Sequence, residues 1–189
     1  MAKRICELCD ALPWAKKAER RCICHGVNID LACGGHKQKG FVGTDIRDVP
    51  GVDLVFDAES FPWPIPDACV DKMLASHFLE HVKPWLHIGV WNEIWRVMKP
   101  SSQFLMVVPH GRSDGYIWDP THCNPFHEAT LDYFQPAAAS NFWTIYRPKP
   151  WRCASMKSYQ FGNIEAIMEP IKGPCPHGQT FDPEGDRGL

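Results

Sequence analysis

No run in the sequence approaches 18 consecutive apolar residues, so no segment reads as a membrane-spanning helix. The opening residues, MAKRICELCD, lack the apolar stretch of a secretory signal, and a cytoplasmic location is the expectation. Neither G-x-G-x-x-G nor the P-loop pattern G-x-x-x-x-G-K-[ST] occurs, which removes the two common glycine-rich phosphate cradles. Internal repeats are missing as well. Net charge is small, at −2, and uneven: residues 1–21 hold six Lys/Arg against three acids, while the remainder holds fourteen against nineteen. A mildly acidic body argues against a basic face for duplex nucleic acid, leaving only the N-terminal segment able to touch phosphates.

The 189 residues, 44% hydrophobic, suffice for one globular domain with its own core. Nine cysteines, an odd number without an export signal, read as reduced thiols or metal ligands. Cys6-x-x-Cys9 is followed, after twelve intervening residues, by Cys22-x-Cys24-His25. Cys6, Cys9, Cys22 and Cys24 have a spacing that can close a tetrahedral zinc knuckle. The alternative is a helix whose one side carries Ile5, Leu8, Leu12 and Ala15. Cys33, Cys69, Cys123, Cys153 and Cys175 are scattered and read as core or neutral positions.

Short apolar or β-branched runs at 27–32, 41–46, 52–57 and 70–76 predict four strands, separated by Gly, Asp and Pro. Trp85, Ile88, Trp91, Ile94, Trp95 and Met98 form the apolar stripe of a helix, with Pro84 at its start and Lys99-Pro100 ending it. QFLMVVP (103–109) reads as a strand in the buried middle of a parallel sheet. Residues 110–127 are a long polar connection, and EATLDYF a short helix. WRCASMKSYQF and NIEAIMEPI flank Gly162-Asn163, a hairpin signal. The expected fold is α/β: a Rossmann-like, mostly parallel, seven-stranded sheet with a C-terminal antiparallel hairpin and helices on both faces. Residues 1–26 form a Cys-rich segment, 27–172 the domain, and 173–189 a Gly/Pro-rich tail.

Such sheets bind ligands beyond the carboxyl ends of their strands, where strand order reverses. Cys33-Gly34-Gly35, Asp45, Asp57, Ser76-His77 and His110 all follow predicted strands. Glycines allow a sharp turn and close backbone approach, and an acid after the second strand can accept from ribose hydroxyls. A plain strand-to-loop turn would also use the glycines. Asp45 follows Gly35 by only ten positions, too few for a helix pointing at a pyrophosphate. Adenosine without phosphates is the better match.

IDLACGG, GTDI, DAESFPWPIPDACVDKMLASHFLEHV and WRVMKPSSQFLMVVP, in this order, resemble the motifs of class I S-adenosylmethionine (SAM)-dependent methyltransferases across residues 27–135. The resemblance implies that Asp30, Cys33, Gly34 and Gly35 line the methionine part of SAM, and that Asp45, with Ile46 beside it, holds the ribose. It places Asp57 and Ala58 beside the adenine and Ser76 and His77 at the methyl group. Ala32 stands where the family usually has its first glycine. Lys37 and Lys39 are candidates for the cofactor carboxylate, or solvated surface residues.

Methyl transfer is an in-line displacement that needs alignment and exclusion of water more than heavy machinery. Residues 110–127 read as the covering loop and acceptor site, with His110 or His122 as base and Asp119 beside them. Asp119-Pro120 also has a turn-forming explanation. Asp119, His122 and His77 could instead hold a divalent metal, with no third ligand fixed, while Glu80 and His81 are expected to serve the helix start. The chain has Ser76-His77-Phe78 where enzymes methylating DNA amino groups carry an Asp/Asn-Pro-Pro-aromatic run and cytosine C5 enzymes a Pro-Cys. The expected function is methyl transfer to an oxygen or nitrogen of a small or medium-sized acceptor. The competing expectations are a zinc-containing module that binds nucleic acid or protein and holds SAM without turnover, and a nucleotide-linked oxidoreductase.

Overall fold

A computed structural model describes residues 26–173. The Cys6, Cys9, Cys22 and Cys24 cluster, the N-terminal segment up to residue 25 and the tail from 174 lie outside the described residues.

Seven strands form one sheet: β1 (Val27–Leu31), β2 (Val42–Asp45), β3 (Leu54–Val55), β4 (Val70–Ser76), β5 (Met98–Pro109), β6 (Trp151–Ser158) and β7 (Asn163–Pro170). Their order is β3-β2-β1-β4-β5-β7-β6, and β7 runs antiparallel to both its neighbours. The chain starts in the middle, winds out to β3, returns to β4 and then winds the other way. The reversal between β1 and β4 is the crevice where a ligand is expected.

Alternation of side chains across the pleat builds the core. Ile29, Met73, Phe104 and Met168 sit in register across β1, β4, β5 and β7. Leu31, Ala75, Met106 and Ala166 form the next row, and all eight are buried. Helix α1 (His87–Val97) packs on this face through Val90, Trp91, Ile94 and Val97. Trp91 stacks on Phe134 at 4.0 Å between centroids and meets Phe104 and Trp151 edge-on. The predicted helix EATLDYF is the 3-10 helix Glu128–Phe134, closed at its start by a reciprocal bond pair between His127 and Thr130. Two short helices, α2 (Asp114–Ile117) and α3 (Trp143–Tyr146), complete the helical cover along with 3-10 turns at Leu79–His81 and Pro84–Leu86.

Several local expectations need correction: of 52–57 only Leu54–Val55 is a strand, and the helix stripe loses Trp85, which sits 78% exposed on the 3-10 turn Pro84–Leu86, and Met98, which opens β5. QFLMVVP is central in the sheet but not buried on both sides: Leu105 is 39% exposed. It lies in register with Leu74 and Ile167, on the opposite side of the pleat from the buried Phe104 row. The hairpin turns on Gln160-Phe161 rather than on Gly162-Asn163. Gly162 N–H donates to Tyr159 O at 2.7 Å, and Asn163 already opens β7.

The proline-rich stretch before β4 is a loop held by α1. Glu93 Oε2 accepts from Trp63 N–H at 2.9 Å, and Arg96 Nη1 donates to Ile65 O at 3.0 Å. This clamp delivers the chain from the cavity rim at residue 59 back to the middle of the sheet.

Candidate active site

The glycine turn begins where β1 ends. Ala32 and Gly34 take left-handed conformations, φ +54° and +57°, and Cys33 N–H donates to Thr44 O at 2.9 Å, so the turn stays tied to β2. A helix has no room here. Buried Asp30 instead accepts from Gln38 N–H at 2.7 Å, which spans the loop, and burial raises its pKa above the ordinary carboxylate value. Asp45 Oδ2 accepts from Gly34 N–H at 2.9 Å. Its other oxygen accepts from both Arg47 N–H and Arg47 Nε–H, at 2.9 and 3.0 Å. Although burial opposes it, these bonds lower the Asp45 pKa and keep the group ionised.

A cavity of about 320 Å³ opens beside Asp45. Leu31, Ala32, Ile46, Phe56, Ala58 and Phe78 supply mostly apolar walls. Its size suits a small molecule or cofactor. Asp57 builds the turn under it, accepting from Glu59 N–H at 2.8 Å and from the Ser60 hydroxyl at 3.2 Å. Glu59 and Lys83 form an ion pair on the rim, and Lys83 N–H also donates to Glu59 Oε1 at 2.7 Å.

Residues 110–127 are packed against the turn after β4. Glu80 O accepts from Cys123 N–H and Asn124 N–H at 2.9 and 3.1 Å, and Asn124 Nδ2 donates to the Leu79 and Val82 carbonyls. The two histidines named as bases differ sharply. His110 is 2% exposed; its Nδ1 accepts from Arg112 N–H at 3.0 Å and its Nε2 faces Glu128 Oε2 at 3.6 Å. Both ring nitrogens of His110 thus face protein partners, just past the end of β5. His122 Nδ1 lies 2.9 Å from Tyr116 O, and a carbonyl can only accept. Nδ1 therefore carries a proton, and in the neutral form of the ring the lone pair is on Nε2.

No protein-family model matches the chain, and no curated protein sequence does. Solved structures do match. A SAM-dependent methyltransferase from Archaeoglobus fulgidus superposes with a TM-score of 0.55 at 20% identity, covering 79% of this chain and 88% of that one. A SAM-dependent methyltransferase from Methanosarcina mazei superposes with a TM-score of 0.51 at 17% identity, covering 85% and 98%. The fold is that of the class I SAM-dependent methyltransferases.

Within this methyltransferase fold the residues predicted to hold the cofactor divide into three groups. Asp45, Ile46, Asp57 and Ala58 line the cavity. Asp30, Cys33, Gly34 and Gly35 build the turn at its edge without lining it, and burial beside Asp30 and Asp45 pushes the Cys33 thiol up to about 11. Lys37 pairs with Asp53 at 2.6 Å. Ser76 ends β4 and His77 follows it, both outside the cavity lining; His77 Nδ1 lies 3.2 Å from Glu80 Oε1, and that carboxylate raises its pKa. Asp119 makes the turn its sequence suggested, accepting from Thr121 N–H and the Thr121 hydroxyl at 2.8 and 2.6 Å. Glu80 and His81 lie on the 3-10 helix Leu79–His81, as expected of residues at a helix start. They face His122, and ligand atoms of the three lie within 4.8 Å of one another. Phe56, Glu59, Phe78 and Lys83 were not singled out, because no local pattern marks a loop residue as a cavity wall.

Proposed function

We propose that the protein transfers the methyl group of SAM to an oxygen or nitrogen atom of an acceptor held beneath residues 110–127. The observation that carries this reading is the cavity beside Asp45: an ionised carboxylate on a mostly apolar wall, reached by a turn with no phosphate-facing helix. When bound, SAM supplies a methyl group activated by its sulfonium, so displacement needs no further leaving-group chemistry.

The residues present fit that cofactor. Asp45 Oδ2 keeps a lone pair beyond its bond to Gly34 and is suited to a ribose hydroxyl. Ile46, Phe56, Ala58 and Phe78 offer flat apolar contact to a base. Left-handed backbone at Ala32 and Gly34 turns the chain sharply away from the cavity. His122 Nε2 is positioned among carboxylates to accept a proton from an acceptor hydroxyl or amine.

Titration calorimetry of the full chain tests the reading: SAM binds and NAD does not. Asp45→Asn, which keeps the shape and removes the charge, weakens SAM by about tenfold or more. NAD preferred over SAM, or unchanged SAM affinity in a folded Asp45→Asn protein, overturns it.

A further inference from the structure

Glu80 is fully buried, at 0% exposure, yet neither carboxylate oxygen accepts a hydrogen bond of good geometry. A buried carboxylate without such bonds is costly, and native proteins compensate it with a cation. His77 Nδ1, 3.2 Å from Oε1, flanks one oxygen from a half-exposed ring. His122 approaches the same oxygen with Nε2 at 4.0 Å, and Asp119 Oδ2 lies 3.8 Å from that nitrogen.

The outer hydrogen bonds set the tautomers of both neighbouring histidines. His122 Nδ1–H donates to Tyr116 O, leaving the Nε2 lone pair toward Glu80. The Thr121 hydroxyl donates to Asp119 Oδ1 at 2.6 Å, so its oxygen accepts from His81 Nδ1–H at 2.9 Å. His81 Nε2 therefore also keeps a lone pair. Imidazoles held by a carbonyl or hydroxyl on one nitrogen and bare on the other are how proteins prepare metal ligands. The two rings lie 4.5 Å apart between centroids.

We propose that Glu80, His81 and His122 bind a first-row divalent metal ion, with Asp119 at its edge. Two imidazoles and one carboxylate suit such an ion and leave coordination positions open. Donors on one ion sit about 3–4 Å apart at bond lengths near 2.1 Å, so small side-chain rotations close the cluster. His81 lines the cavity, so an ion on its ring stands beside that wall; with the His122 Nε2 lone pair on the ion, that ring no longer serves as the base, and the ion acts on the acceptor oxygen as a Lewis acid instead. That last consequence rests on the proposed methyl transfer; the metal site does not.

The test is a Mn²⁺ titration of the full chain without SAM, reading free Mn²⁺ by electron paramagnetic resonance. Mn²⁺ is a poor partner for thiolates, so the N-terminal cysteines do not report. One saturable Mn²⁺ per chain is expected. Glu80→Gln and His122→Gln each weaken it by about tenfold or more, and Thr121→Val, which removes the hydroxyl that accepts from His81 and donates to Asp119, by about tenfold. His81→Gln replaces Glu80→Gln if the latter does not fold by circular dichroism. No saturable uptake, or uptake unchanged in the folded variants, overturns the site. Mn²⁺ binding without SAM binding keeps the site and overturns the methyl-transfer reading, and SAM binding without Mn²⁺ does the reverse.

Discussion

Ala32 occupies left-handed backbone, φ +54°, where a Cβ is crowded at a cost of about 1–2 kcal/mol. Glycine removes that crowding but costs entropy when ordered, so Ala32→Gly is expected to stabilise the protein by about 1 kcal/mol or less. Urea unfolding measures it, and a loss of stability would contradict the strained geometry. The neighbouring glycines make a sharper contrast. Gly34 is left-handed, and a Cβ there would meet Arg47 Nη2 at 3.2 Å, in contact with the side chain that holds Asp45. Gly35 has no such φ, and its Cβ would sit 3.8 Å from Pro50 O. Gly34→Ala is therefore expected to cost about 1–2 kcal/mol and to weaken SAM binding, while Gly35→Ala leaves stability near that of the parent. Equal losses from both would show that close ligand approach, not backbone conformation, selects the glycine pair.

Helix α1 ties the strands to the loops above them. Trp91 contacts Phe104 on β5, Trp151 on β6 and Phe134 beyond the covering loop, all from full burial. Trp91→Ala is expected to cost about 3–5 kcal/mol, seen as a lower denaturant midpoint. The covering loop is a separate element with its own anchor. Asn124 joins it to the carbonyls of Leu79 and Val82, and few apolar side chains near residues 117–122 are buried. Asn124→Ala is expected to raise hydrogen exchange across residues 116–124 while leaving the strands protected. Global deprotection instead would mean that the loop belongs to the folding core.

At the scale of the whole molecule, acid stability carries the mark of one histidine. His87 accepts from Trp91 Nε1–H at 3.1 Å, its Nδ1 is shut off from water without a partner, and Phe126 and Phe134 face its ring. Burial lowers its pKa from 6.5 to about 4. Between those values the unfolded chain binds a proton that the folded chain refuses, so stability is present above pH 6.5 and falls as pH drops toward 4. The group accounts for up to about 3 kcal/mol of that loss. His87→Leu should flatten the curve of unfolding free energy against pH in this window, and an unchanged slope would remove His87 as its cause. Among the described residues no helix is long and apolar enough to cross a membrane, in keeping with the lack of long apolar runs.

The strands and the turn were legible because they rest on neighbours in the chain. VDKMLAS is β4 residue for residue, and the gap from Gly35 to Asp45 excluded a helix by length alone. Leu105 was misjudged because its burial depends on what covers the far face of the sheet, which its own strand cannot encode. Sequence alone thus determined the local conformations, the order of the strands along the chain and the identity of the acid beside the cavity. Tertiary structure decided which histidine keeps a lone pair, since Tyr116 and Thr121 choose the tautomers of His122 and His81. It also decided that Glu80, 42 residues before His122, shares its site. Both outcomes depend on hydrogen bonds and burial between segments far apart in the chain, set when the covering loop packs on the turn after β4.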